Sequence, residues 1–519
     1  VLREDLFAPG TPGVVGDVEG DVDCDIVVVG SGMGGATLAW ALKDSGARVL
    51  VLESGGFLPR ERENWSARAV HMQGRYKNSA LWIDETGREF MPGNYHYVGG
   101  NTKLYGATLP RFRERDFEDV ETHDGRSPAW PISYRDLEPY YAQAEARYVV
   151  HGEEGDPTEP WRSSPYPNPP VPHDPAMGEL VGRLRRQGLQ PFALPQAVDW
   201  GPGGNCVLCR TCDSYNCMVD AKGDADLRAM RPAIASPTVR LMTGADVRAV
   251  RTEADGARVA HLDVRRNGRN LRVRAHRYVL AAGAVNTAAL LLRSRDDRSP
   301  DGVANSSGMV GRNYMAHVSS FLVGGRPGKD PLVVYSKTVG LNDWYWGSDT
   351  SPYPLGNVQA LGKIQGPTIK PQRPWVPLGV LEWASKRTVD FFVETEDVPL
   401  PENRVHVDSS GRIHLLWRQT NLGPHAELVK RMSKALRRAG YPLIFTQKLG
   451  IEATSHQVGT VRMGTDPTDS VVDPSCRAHD VENLWVVDGS VFPSSAAVNP
   501  ALTIAANVLR VADTGTLAA

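Results

Sequence analysis

Long apolar runs are missing from this 519-residue chain, and with them any candidate for a membrane-spanning helix, which needs about 20 consecutive apolar residues. A charge excess is missing too. The 58 Lys and Arg face 60 Asp and Glu, a formal net charge of −2, whereas a nucleic-acid or anionic-membrane surface needs clustered basic groups. The basic stretch VRRNGRNLRVRAHR, residues 264–277, alternates as a two-stranded hairpin with a solvated face does, which argues against a polyanion site. No internal repeat is evident, so a solenoid is not indicated. The first stretch, VLREDLFAPGTPGVVGDVEGDVD, is acidic and rich in Gly and Pro, the opposite of a secretory signal. A cytoplasmic location is the expectation.

Cysteine is scarce, and four of the six fall in CVLCRTCDSYNC, residues 206–217. The spacing resembles the start of an iron–sulfur run, C-x2-C-x2-C-x3-C-P. Here the last gap is four residues and Met218 stands in the proline's place. Structural zinc usually draws its thiolates from two separated knuckles. A folded cysteine-rich loop able to hold a disulfide is therefore expected, and no metal site is assigned.

What remains is the composition of a soluble globular protein, 41% hydrophobic and 23% charged, at a length that suggests two structural units. Residues 24–56 read CDIVVVGSGMGGATLAWALKDSGARVLVLESGG. Ile26 to Val29 suit a strand buried on both faces. Gly30, Gly32 and Gly35 then form G-x-G-x-x-G, a helix follows, Gly46 ends it, and a second strand from Arg48 leads to Glu53. Gly30 allows the tight turn, Gly32 lets a pyrophosphate approach the backbone, and Gly35 lets helix and strand pack closely. The helix N-terminus offers free N–H groups to the phosphates. Glu53, 23 residues after Gly30, is placed to accept hydrogen bonds from the adenosine ribose. NAD and FAD share this unit, so it does not choose between them.

The far end of the chain does. In NLWVVDGSVFPSSAAVNPALTIAANVL, residues 483–509, a buried strand ends at Asp488 and Gly489. Asn499 is then expected to cap a helix whose first residue is Pro500, both favoured at those positions. A helix start aimed just beyond a strand end suits a flavin, whose reduced ring is an anion that such a terminus stabilises.

Here the sequence resembles the glucose–methanol–choline (GMC) flavin oxidoreductases. The resemblance rests on VVVGSGMGGATLAWAL, VGGNTKLYGATLPRFRERDF at 98–117, YVLAAGAVNTAALLLRS at 278–294, and SHQVGTVRMG with the terminal segment. GRNYMAH, 311–317, matches a further family segment. The resemblance implies an α/β fold with a Rossmann-like FAD-binding domain and a second α+β substrate domain on an antiparallel sheet. It implies FAD as cofactor, His456 as the base and Asn499 as its partner. The same resemblance places Gly100, Asn101, Tyr105, Gly106, Val247, Ala282, Gly283, Asp488, Gly489, Pro500 and Thr503 along the cofactor. No histidine lies in GGNTKLYG, residues 99–106, so FAD is expected to be noncovalent.

Histidine, with an unperturbed pKa of roughly 6.5, accepts a hydroxyl proton at neutral pH. An asparagine amide donates to the substrate oxygen and orients it. Within the family the chain looks most like bacterial relatives of pyranose oxidase and glycoside 3-oxidases, implying oxidation of a pyranose hydroxyl at C2 or C3 with dioxygen as acceptor. A sugar dehydrogenase with a quinone or protein acceptor, and a lyase keeping flavin structurally, are the alternatives. A sugar or glycoside is the expected partner, with neither nucleic acid nor membrane, and an oligomer is compatible.

Signatures at both ends and the middle predict a cofactor domain assembled from 20–115, 200–317 and 455–519, with 116–199 and 318–454 forming the substrate domain. DFFVETE and NRVHVD in the latter suggest an antiparallel sheet. Glu394, Glu396 and Asp397 read as a solvated loop rather than a hydrolase's paired acids. NDWYWGSD, 342–349, reads as a loop packed on its own domain, with stacking on a sugar as the minor alternative.

Overall fold

The computed structural model describes residues 3–4, 6–8, 13–328 and 333–517. In chain order, the elements that build the site are β1 (Ile26–Val29), α1 (Met33–Leu42), β2 (Val49–Glu53), β3 (Val239–Thr243), β4 (Arg277–Leu280) and α2 (Ala284–Arg293). There follow β5 (Val318–Gly325), β6 (Asn357–Ala360), β7 (Thr388–Thr395), α3 (Leu422–Arg438), β8 (Leu443–Lys448), β9 (Leu484–Val486) and α4 (Ala501–Asp513).

Five strands make a parallel sheet in the order β3-β2-β1-β4-β9. Ile26 pairs with Val49 on one side and Arg277 on the other. With every residue of β1 and β2 buried, the continuous apolar runs are those of strands covered on both faces. Helix α1 returns across the sheet and packs on α4. The turn into it needs glycine: Gly30 has φ +101, and a Cβ there would lie 2.4 Å from the Ala281 carbonyl oxygen. This is the Rossmann-like half of an α/β fold.

The other half is a six-stranded antiparallel sheet in which β6, β7, β5 and β8 are successive neighbours. Apolar side chains of β5 and β7 meet α3 around Leu428, Met432 and Leu436 in a second core. DFFVETE belongs to this sheet as β7, whereas Arg404–Val407 pairs with Ile413–Leu416 in a separate, smaller sheet. The basic segment forms the hairpin Val259–Arg266 with Arg269–Arg274. Among the described residues no helix is long and apolar enough to cross a membrane.

Candidate active site

The site starts from one backbone bridge. Met315 and Val458 pair in antiparallel fashion, each N–H donating to the other's carbonyl at 3.0 Å. Two residues beyond Met315 is His317, and two before Val458 is His456, so the bridge sets the imidazoles side by side. Downstream, the Gly459, Val461 and Met463 amides donate to the carbonyls of Gly489, Ser490 and Val491. The glycine-rich run is thus sewn onto the segment between β9 and α4, and its histidine is carried to Asn499. His456 Nε2 stands 3.3 Å from Asn499 Nδ2.

Asn499 does not cap the helix. Helix α4 begins at Ala501 with Pro500 in the capping position and no side-chain cap. The carboxamide turns instead to His456, and its Oδ1 is buried with no hydrogen-bond partner. Contact with the imidazole outcompetes the local turn.

The acidic triplet is likewise not a solvated loop. Glu394 is fully buried because β7 runs through the middle of its sheet, and just past the strand's end Asp397 is fully buried and Glu396 nearly so. Glu394 Oε1 accepts from His317 Nδ1 at 2.8 Å and lies 2.9 Å from His456 Nδ1. Burial opposes ionisation of Glu394, but the two histidines outweigh it and hold its carboxyl well below the usual range. For His317 burial again opposes the charge, and Glu394 wins by holding the imidazole pKa above its ordinary value. For Glu396 burial prevails, pushing it up to about 7. A sequence reader weighs each acid by local polarity, and the partners here come from strands far along the chain.

The dinucleotide end also fits a ligand. Gly100 sits on the turn, where an added Cβ would stand 3.1 Å from Gly32 Cα, while a Cβ on Gly32 would meet nothing within 4 Å. The amide end of α1 carries no side-chain cap and no acid in its first turn, leaving N–H groups free for phosphate. Asp488 accepts from the Gly283 amide at 2.9 Å and from Thr287 Oγ1 at 2.6 Å, tying the turn after β4, with Ala282, to Gly489. Open space at Gly32, free amides and the orphaned Asn499 Oδ1 are the marks of a cradle for FAD.

Several expected residues have other occupations. Glu53 accepts from the Ser31 amide and hydroxyl on one oxygen and from the Gly55 amide and Ser54 hydroxyl on the other. It clasps the glycine turn, and a ribose hydroxyl would have to displace the long 3.3 Å Ser54 bond. Asn101 Oδ1 accepts from the Tyr95 amide, Tyr105 donates to the Gly223 carbonyl, and Gly106 packs against Asp213 and Lys337. Thr503 and Tyr141 share a hydrogen bond at 2.8 Å. Val247 lies at the start of strand Asp246–Thr252, just after Ala245, whose amide donates to the Glu53 carbonyl.

The thiols of Cys206, Cys209, Cys212 and Cys217 are free, so no disulfide closes that loop. Among the described residues the convergent group of His, Cys, Asp or Glu ligand atoms is His317, Glu394 and His456. In NDWYWGSD, Tyr345 donates to Asp116 and Trp346 lies under the Arg115 guanidinium. An open pocket of about 390 Å³ beside Trp346 is lined by residues such as Asn342, Asp343 and Ser351, without His456 or Asn499.

Models of the GMC oxidoreductase family match residues 24–319 and 399–507. The chain belongs to the GMC oxidoreductase family, whose members bind FAD and act on CH–OH groups. It is 35% identical to 6'''-hydroxyparomomycin C oxidase of Streptomyces lividus, over 94% of this chain and 90% of that one. It is 33% identical to paromamine 6'-oxidase of Streptomyces fradiae, with the same coverages. The crystal structure of pyridoxine 4-oxidase from Mesorbium loti shares the fold, with TM-score 0.67, 21% identity, and 95% and 99% of the two chains covered.

Proposed function

We propose that this protein oxidises a hydroxyl of a sugar or glycoside to a carbonyl, with His456 as base and Asn499 as the substrate's hydrogen-bond donor. The observation that carries it is the pairing of His456 Nε2 with the Asn499 amide at 3.3 Å, at a histidine whose side chain keeps 21% exposure. Nε2 takes the hydroxyl proton. Asn499 Nδ2 holds the oxygen, and the Phe392 ring, 6.4 Å from that of His456, walls one side of the imidazole. FAD, when bound, supplies the hydride acceptor that no side chain can. The residues proposed to hold it are Gly30, Gly32, Gly35, Glu53, Gly100, Gly283, Asp488 and Gly489, with Asn101, Tyr105, Gly106, Ala282, Val247, Pro500 and Thr503 around them, and no covalent link.

The positions of the larger sheets support a proposed division into a cofactor and a substrate domain, joined by a smaller sheet that pairs His414 with Ile83. All five parallel strands fall in 20–115, 200–317 and 455–519, and all six strands of the larger antiparallel sheet in 116–199 and 318–454.

Two relatives are named 6'''-hydroxyparomomycin C oxidase and paromamine 6'-oxidase, which supports a sugar-like substrate, and dioxygen is the acceptor we propose. Oxidation at C2 or C3, as in pyranose oxidase and glycoside 3-oxidases, gives a ketone, and oxidation at an exocyclic carbon gives an aldehyde. The test is anaerobic bleaching of the yellow enzyme by a panel of pyranoses, glycosides and aminoglycosides, followed by air. Bleaching, peroxide release and the carbonyl carbon in the product's NMR spectrum identify substrate, acceptor and position. An enzyme that no member of the panel bleaches overturns the proposal, and dye reduction without peroxide makes it a dehydrogenase.

A further inference from the structure

Glu394 accepts more hydrogen bonds than its place in a strand requires. An ionised carboxylate only accepts, so every group in contact with it must donate. Its Oε2 receives Gln359 Nε2 at 2.6 Å. Its Oε1 receives His317 Nδ1 at 2.8 Å and stands 2.9 Å from His456 Nδ1. His456 Nδ1 lies 3.0 Å from His317 Nδ1 as well as 2.9 Å from Glu394 Oε1. With the His317 Nδ1 hydrogen given to Glu394 no lone pair is left there, so the carboxylate is the acceptor for a His456 Nδ1 proton and both Nδ1 atoms are assigned protons. The Nε2 of His317 faces the Ser495 carbonyl at 3.3 Å, a second acceptor, which makes His317 an imidazolium. The Nε2 of His456 faces the Asn499 amide, a donor. One anion, one cation and one neutral ring fit the cluster.

We propose that Glu394 is a positioning residue which, through a buried ion pair with His317, fixes the proton of His456 on Nδ1 and so leaves the lone pair on Nε2. The inference rests on the role of His456 as base. It explains why two histidines share one acid. Glu394 alone would favour protonation of His456 and abolish the base. The His317 cation, its Nδ1 3.0 Å from that of His456, offsets the charge while the geometry stays.

Other titratable groups around the cluster are engaged elsewhere. Glu396 faces His317 but accepts from Ser127 Oγ and the Ala496 amide. Asp397 holds Trp417, Thr420 and the Ala316 amide. Burial keeps His425, down at about 4, neutral between Ser320 and Thr395, with Lys448 and Glu394 nearby. Asp116, pushed up to about 6 by burial, faces Glu396 and holds Tyr345. Hydrogen bonds also account for the spacing better than a metal ion does, since tetrahedral ligands on zinc stand about 3.3 Å apart.

The test uses flavin-loaded wild type, His317→Gln, Glu394→Gln and the double variant. Imidazole ¹⁵N NMR, which needs no substrate, is expected to show His456 protonated on Nδ1 alone and His317 on both nitrogens. In kcat/KM against pH, H317Q moves the acid limb up by about one unit or more, because Glu394 then acts on His456 unopposed. The double variant moves it back, and E394Q loses about tenfold or more in kcat with its flavin absorption intact. A proton on Nε2 of resting His456, an H317Q acid limb that stays with wild type, or a stoichiometric metal ion in the cluster overturns the inference. If no sugar bleaches the wild type, the functional proposal fails while the NMR result still decides this one.

Discussion

Met315 and Val458 exchange two backbone hydrogen bonds of 3.0 Å each, and this single bridge decides where the histidines of two distant motifs meet. It joins the segment leading into β5 to the glycine-rich run that pairs with the segment between β9 and α4. Chemistry at His456 therefore depends on backbone pairing as well as on side chains.

Replacing His456 with alanine should leave the yellow colour and remove the base. The expected loss in the rate of anaerobic bleaching is about 10²–10⁴-fold, the range for general-base groups. Stopped-flow absorbance reads it directly, and near-wild-type bleaching would assign the proton to another group.

Asn499→Ala separates catalysis from capping. A capping asparagine is worth about 1 kcal/mol to its helix, but this side chain caps nothing and leaves Oδ1 unsatisfied. The thermal midpoint should stay within about 2 °C of wild type, while kcat/KM falls about 10–100-fold through lost orientation. A clear drop in melting temperature would restore the cap.

Two glycines of one turn should fail in different ways. Gly30→Ala meets the Ala281 carbonyl at a positive φ and should destabilise the fold by about 1–3 kcal/mol or more. Gly32→Ala points a methyl into open space, so it should fold normally and lose FAD. Differential scanning calorimetry with flavin absorbance per protein separates the two.

Stability should depend on pH through the buried pair, with opposite signs for its members. Glu394 has a folded pKa below its unfolded value, so its contribution is present above about pH 4.3 and is lost as pH falls through the folded value. His317 has a folded pKa above its unfolded value. Its contribution is complete below about pH 6.5 and is lost as pH rises through the raised value. The melting-temperature gap between wild type and His317→Gln should thus be widest near about pH 5.5 and narrow toward about pH 9.

Acid precipitation tests the mode of flavin attachment. The yellow colour should pass wholly into the supernatant, and colour retained in the pellet would mean a covalent link.

Much of the parallel half was readable in advance because its signals are local. Four apolar residues in a row, three spaced glycines and an acid at the next strand's end mark β1, α1 and β2 through hydrophobic pattern and glycine spacing, signals that lie within one short segment of the chain. His456 and Asn499 are paired by family resemblance; their side chains stand 3.3 Å apart, and their roles are the proposal. The capping role for Asn499 did not survive, because the residue chooses between two partners and only one of them is near in sequence. Glu394 was misread for the same reason. An acid in DFFVETE is costly to bury unless partners surround it, and its neighbours His317, Gln359 and His456 arrive from three other segments.

The amino-acid order by itself therefore determined the dinucleotide turn, the buried parallel strands and the residue types available for proton transfer. Tertiary structure decided which nitrogen of which histidine faces an acid and which faces an amide. Hydrophobic pattern and glycine sterics act over a few residues, whereas the charge state of a buried imidazole depends on every donor and acceptor within about 4 Å of it, wherever in the chain they lie.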